Sequence, residues 1–173
     1  MQESDEFLHI RELAVRRDGR EPRVRVQFLF SESGYWVPVR DGHPSLRPFL
    51  EAHYSGRRRR DGRHPAKIIG PGQYIALLGT DGMALLAWRK AIMMDGQLGV
   101  NCAVFRNEGA RRSSDILLEG MMLAWDKWPG ERLFTYVNPA KISSCNPGYC
   151  FKVAGWRRCG YSAGGLHILE VYP

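Results

Sequence analysis

The hydrophobic period of this chain changes at Arg106, and no other feature constrains the fold as much. Before that point three segments, 74–78, 83–90 and 99–105, read as strands, with the turn signals Asp81-Gly82 and Asp95-Gly96 between them. Beyond it Leu117, Met121, Ala124, Trp125 and Trp128 fall at i, i+4, i+7, i+8 and i+11, one stripe of an amphipathic helix. Ser113 or Ser114 is placed to cap that helix, Asp115 complements its dipole, and Pro129-Gly130 ends it. A strand over 132–137 follows. A shorter helix is expected after Asn146, with Pro147 at its first position and Gly155 as a left-handed stop, and then a last strand over 166–171. A strand–helix–strand step inside an otherwise antiparallel sheet predicts an α/β fold of the α+β kind: a mixed, mostly antiparallel central sheet flanked by helices.

Upstream, Val24, Val26, Phe28 and Phe30 alternate with Arg23, Arg25, Gln27 and Leu29, which suits a strand within an N-terminal region 1–40 that resembles nothing identifiable. Residues 45–52 read as a short helix, with Leu46, Phe49 and Leu50 at helical spacing. It leads into His53-Tyr54-Ser55-Gly56 and the run Arg57, Arg58, Arg59, Arg60, with Arg63, His64 and Lys67 beyond. This Gly- and Arg-rich stretch, 53–72, is expected to be an exposed basic loop. With 173 residues, 44% apolar and without repeats or a low-complexity linker, the chain is expected to form a single domain, 1–173.

A formal charge of +7 implies attraction to polyanions, and the arginine run concentrates it enough to hold several phosphates at once. No apolar run approaches the roughly 20 residues of a membrane span, and the acidic start, Met1 to Glu6, is unlike a secretory leader. No membrane and a cytoplasmic location are therefore expected. The four cysteines (Cys102, Cys145, Cys150, Cys159) contain no CxxC, so reduced thiols are the default expectation and a metal requirement stays open.

The segment Arg106-Asn107-Glu108-Gly109-Ala110-Arg111, lying between strand and long helix, resembles the Q/R-x-x-G-x-G/A loop of the GNAT acyltransferases. In that superfamily the loop amides hold the pyrophosphate of an acyl-coenzyme A, because unpaired amides at a helix N-terminus bind phosphate. The resemblance implies acyl-coenzyme A (acetyl-coenzyme A included) as cofactor, bound by Phe105, Arg106, Gly109, Ala110, Arg111, Ser113 and Ser114. Arg111 stands where glycine or alanine is expected; its side chain either crowds the pyrophosphate or supplies it with a cation. Ala154-Gly155-Trp156 is similar to the family's helix-ending glycine–aromatic pair.

A narrower resemblance is to the Mom-type DNA-modification proteins of phages, a divergent GNAT branch. It rests on His53-Tyr54-Ser55-Gly56 ahead of the meander and on Gly148 and Gly155 around the last helix, with 73–172 as the GNAT-like core. It implies modification of the exocyclic amine of adenine in double-stranded DNA, protecting phage DNA from restriction in the host cytoplasm. His53 then serves as general base, Tyr54 as stacking ring or proton donor, and Ser55 completes the motif. Glu108 and Asn138, polar residues at strand ends facing the cleft, join the catalytic set, and Arg57, Arg58, Arg59, Arg60 and Arg63 grip the backbone.

One departure counts against plain acetyl transfer. Four residues before the helix-ending glycine, where the superfamily has a proton-donating tyrosine, stands Phe151, with Tyr149 and Cys150 directed elsewhere around the helix. Two alternatives stand beside DNA-base modification: an N-acyltransferase acting on a protein or small amine, and a non-catalytic nucleic-acid-binding protein on a degenerate scaffold. The methionine pairs 93–94 and 121–122 and most tryptophans read as core, Trp36 and Trp156 excepted. Oligomeric state is not legible.

Overall fold

The computed structural model describes residues 11–13, 25–27, 34–53 and 67–173. The chain divides into two units, Met1–Gly34 and Tyr35–Pro173. In the first, β1 (Arg11–Leu13) pairs antiparallel with β2 (Arg25–Gln27), which falls inside the expected 24–30 strand.

The second unit opens with β3 (Trp36–Val39), a 3₁₀ turn at Pro44–Leu46 and α1 (Arg47–Ala52). The alternating segments then build the meander of β4 (Gln73–Gly79), β5 (Ala84–Lys90) and β6 (Val100–Asn107). After these come α2 (Ser113–Lys127), β7 (Leu133–Val137), α3 (Tyr149–Val153), β8 (Arg157–Tyr161) and β9 (His167–Val171). Seven strands form one sheet in the order β3-β4-β5-β6-β7-β9-β8. Every neighbouring pair is antiparallel except β6 and β7. Strand β8 escapes the sequence reading because Arg157, Arg158, Cys159 and Tyr161 are all exposed on this edge strand and show no apolar alternation.

The alternation of β5 sends its side chains to two cores. Leu85 and Ala87 join Leu46, Phe49, Ile69, Ala76 and Val104 beneath α1. Leu86 faces α2, where a Cβ on Gly120 would lie 2.1 Å from its Cδ2, so glycine is what lets the helix approach the sheet. Both tryptophans left unassigned belong to the core: Trp36 donates Nε1 to the Ile116 carbonyl at 2.7 Å, and Trp156 stacks with Trp88. The methionine pairs split instead, with Met121 buried, Met93 half-buried, and Met94 and Met122 exposed.

Two helix starts differ from expectation. The N-cap of α2 is Arg112, and it makes no side-chain cap. Ser113 accepts from Asn107 Nδ2 at 3.1 Å, while Ser114 is buried and donates to Asp115. α3 begins two residues beyond Pro147, capped by Gly148 at φ 75°, where a Cβ would also strike Leu169 Cδ1 at 2.6 Å. The stop at Gly155 is as expected: it has φ 90° and donates to the Lys152 carbonyl, while Trp156 N–H reaches Phe151, a Schellman pair. No helix among the described residues is long and apolar enough to cross a membrane.

Candidate functional site between β6 and β7

The parallel pair of the sheet opens almost as soon as it forms. Backbone pairing of β6 with β7 covers Val100↔Leu133 and Asn101↔Phe134. Two buried side chains also bridge the strands, one at the last backbone pair and one just past it: Asn101 Nδ2 donates to the Phe134 carbonyl at 3.3 Å and Thr135 Oγ1 to the Cys102 carbonyl at 3.0 Å. On its other side β6 carries a bulge. Ala87 pairs with Val104 and Trp88 with Cys102, so Ala103 is the extra residue.

A cavity of about 720 Å³ fills the opening. Its wall includes the successive residues Thr135, Tyr136, Val137 and Asn138, which alternate between the two faces of the sheet. The cavity therefore follows β7 beyond its last backbone pair with β6. One side is closed by Gly148, Tyr149, Cys150 and Phe151 of α3 and its cap, and His53 also contributes to the wall. The volume is in the range of small-molecule sites.

Three of the sequence-chosen residues, His53, Phe105 and Asn138, meet in this wall. His53 is half-buried; burial, and then the charge of Arg106, hold its imidazole below the ordinary histidine range. Asn138 uses its Oδ1 to accept from Ala140 N–H at 3.0 Å, which turns the chain out of β7. Phe105 packs edge-on against Phe151, itself edge-on to Trp156. Tyr149 and Cys150, expected to point away, also line the cavity, because a five-residue helix presents most of its length to it. Burial pushes the thiols of Cys102 and Cys150 up, and all four cysteines are free thiols.

The remaining candidates fall elsewhere. Glu108 is exposed and pairs with Arg106 at 2.6 Å, so it is a surface ion-pair partner and not part of the cavity wall. Arg106 also donates Nη1 to the Ala52 carbonyl at 2.9 Å, tying the end of α1, next to His53, onto β6. Arg111 pairs with Glu119 at 2.6 Å and lies 4.7 Å over the Tyr35 ring. The Glu108 N–H goes to the Met83 carbonyl and the Gly109 N–H to Asn107 Oδ1. Asn107 Nδ2 closes the loop onto the Arg111 carbonyl at 2.7 Å. Gly109 has no positive φ; it is small because a Cβ would stand 3.0 Å from Asp81 Oδ2 and 3.1 Å from Met83 Cβ.

Within 106–111, two backbone amides, those of Glu108 and Gly109, and both arginine side chains are engaged inside the protein. Gly109, Ala110, Arg111, Ser113 and Ser114 all lie outside the cavity wall. Tyr54, Ser55, Arg57, Arg58, Arg59, Arg60 and Arg63 lie outside the described residues. Among the described residues no group of three or more His, Cys, Asp or Glu side chains is placed to hold a metal ion.

Sequence reasoning missed Asn101, Cys102, Thr135 and Tyr136 as wall residues. A signal was present for two of them: Asn101 and Thr135 are polar residues inside otherwise apolar strands, and a buried polar side chain there needs a partner off the backbone ladder. No protein-family profile, curated protein or solved structure matches this chain.

Proposed function

We propose that this protein is a GNAT-like transferase of the Mom-type branch that modifies the exocyclic amine of a base, adenine, in double-stranded DNA. One observation carries the reading: a cavity lies where β6 and β7 part, with His53 in its wall, and in sequence Arg57, Arg58, Arg59 and Arg60 begin four residues after His53. A catalytic imidazole and a phosphate-binding run separated by so few residues suit an enzyme that grips the backbone and works on an extruded base. The strand–helix–strand step from β6 through α2 to a parallel β7, and the Gly155 stop ahead of Trp156, support the GNAT-like assignment.

In this reading the amine nitrogen bonds to an electrophilic carbon of the donor as the donor's leaving group departs. His53 accepts the proton that the nitrogen loses. Burial and then the charge of Arg106 favour its unprotonated form, which can accept a proton, although they make it a weaker base than an ordinary histidine. Asn138 offers a polar contact to the base, and Thr135 with Asn101 ties β6 to β7 where the two strands part.

Acyl transfer to a protein or small amine is the weaker reading, because Phe151 is locked between Phe105 and Trp156 and has no proton to give. The test is mass spectrometry of nucleosides from DNA co-expressed with the protein. A modified adenosine with the wild type and none with His53→Ala supports the reading; unmodified DNA in both removes it.

A further inference from the structure

Resting on that reading, we propose that Ile92 and Met94, at the tip of the 91–99 loop, form the wedge that enters the duplex when the target base leaves its stack. Extruding a base opens a gap, and DNA-distorting proteins fill such gaps with apolar side chains such as Ile, Leu or Met. Ile92 keeps 93% of its surface in solvent and Met94 is fully exposed, a pairing of large apolar side chains that no fold requirement explains. The tip is not loose: Gly96 N–H closes a turn on the Met93 carbonyl at 3.0 Å with Gly96 at φ 77°.

Its anchors give the tip a meaning. Toward the cavity, Asp95 Oδ2 accepts from the Tyr136 hydroxyl at 2.6 Å, and Tyr136 is a cavity wall residue. Arg89 donates to the Ile69 carbonyl at 3.0 Å and to Met93 Sδ at 3.3 Å. Ile69 follows, three residues on in sequence, the stretch 54–66 that holds Arg57, Arg58, Arg59 and Arg60. Arg132 fixes the far limb through Gln97 Oε1 and the Leu98 carbonyl. Two apolar side chains are therefore held out beside a wall residue of the cavity, on a chain of charge +7. That charge favours a polyanionic duplex over a second, equally cationic copy.

The test uses the full chain and a duplex of mixed sequence carrying 2-aminopurine in place of adenine, whose emission rises several-fold on unstacking. The wild type should bind and raise the emission. The Ile92→Ser, Met94→Ser double variant should bind with the same salt slope, since neither side chain meets a phosphate, yet lose most of the rise. The rise should return when the 2-aminopurine is placed opposite an abasic site, where extrusion needs no wedge. A double variant that raises emission on the matched duplex as the wild type does overturns the wedge alone. So does a wild-type dimer that the substitutions turn into a monomer by light scattering, which makes the tip a contact between copies. A wild type that does not bind the duplex at all removes the DNA reading and the wedge with it.

Discussion

Gly109→Val separates two explanations of the 106–111 loop. If glycine is needed so that a coenzyme diphosphate can approach the backbone, valine abolishes coenzyme binding and leaves the fold intact. The geometry points the opposite way. The added Cβ alone stands 3.0 Å from Asp81 Oδ2 and 3.1 Å from Met83 Cβ, tighter than relaxed packing. Asp81 cannot move freely, because its Oδ1 accepts from the Tyr35 hydroxyl and from Met83 N–H, each at 2.8 Å. Those bonds hold the β4–β5 turn, and the Tyr35 phenol is pushed up to about 12 by burial and by Asp81. Overpacking costs about 1–3 kcal/mol, and a displaced hydrogen bond roughly 1 more. For a unit of this size a total near 3 kcal/mol lowers Tm by roughly 10 °C. Scanning calorimetry reads that shift, and titration of both proteins with acetyl-coenzyme A reads whether valine also removes a coenzyme heat. A variant that melts with the wild type and loses a coenzyme heat that the wild type shows refutes the reasoning.

The other predictions concern charge and protons. Glu170, nearly buried, bonds to Arg132 at 2.7 Å and Arg157 at 3.0 Å; burial opposes its ionisation, but the arginines outweigh it and hold its carboxyl below the ordinary range. Glu170→Ala should cost about 3 kcal/mol at neutral pH by leaving Arg132 without its carboxylate. The stabilisation from Glu170 is fully present above its unfolded value and is lost as pH falls through the folded one, so wild type and variant should converge in acid melts. His53 should titrate by NMR below its ordinary 6.5, and Arg106→Gln should move the midpoint up by removing a nearby charge. Because the folded chain then binds that proton less readily than the unfolded chain, stability should rise with pH across the window ending at 6.5, and His53→Ala should flatten that rise. Replacing Arg57, Arg58, Arg59 and Arg60 with alanine should lower the slope of log affinity against log salt by about 0.9 for each phosphate that is no longer neutralised.

Periodicity makes much of the fold legible. The meander, the long helix and the strand after it can be read because one face of each element is buried, which stamps a period on the sequence. Strand β8 cannot, since an exposed edge strand carries no such stamp. At the start of α3, Pro147 looks like a first helical position, while the left-handed Gly148 and its contact with Leu169 set the actual boundary. The cavity is legible only at His53, Phe105 and Asn138. At 106–111, glycine before a helix signals a close approach within the fold, that of the carboxylate of Asp81 and the side chain of Met83. Met94, read as core from its residue type, is exposed because the turn closed by Gly96 holds it outward.

Whether this chain alters adenine in DNA, with His53 taking the proton, is decided by nucleoside mass spectrometry on DNA from cells expressing the wild type, His53→Ala and Asn138→Ala in parallel. A mass-shifted adenosine is expected with the wild type, its disappearance with His53→Ala, and a reduced yield with Asn138→Ala, all three chains melting within a few degrees of one another. Modified adenosine persisting at full yield in His53→Ala, or absent from the wild type, is the opposite result and rules the assignment out.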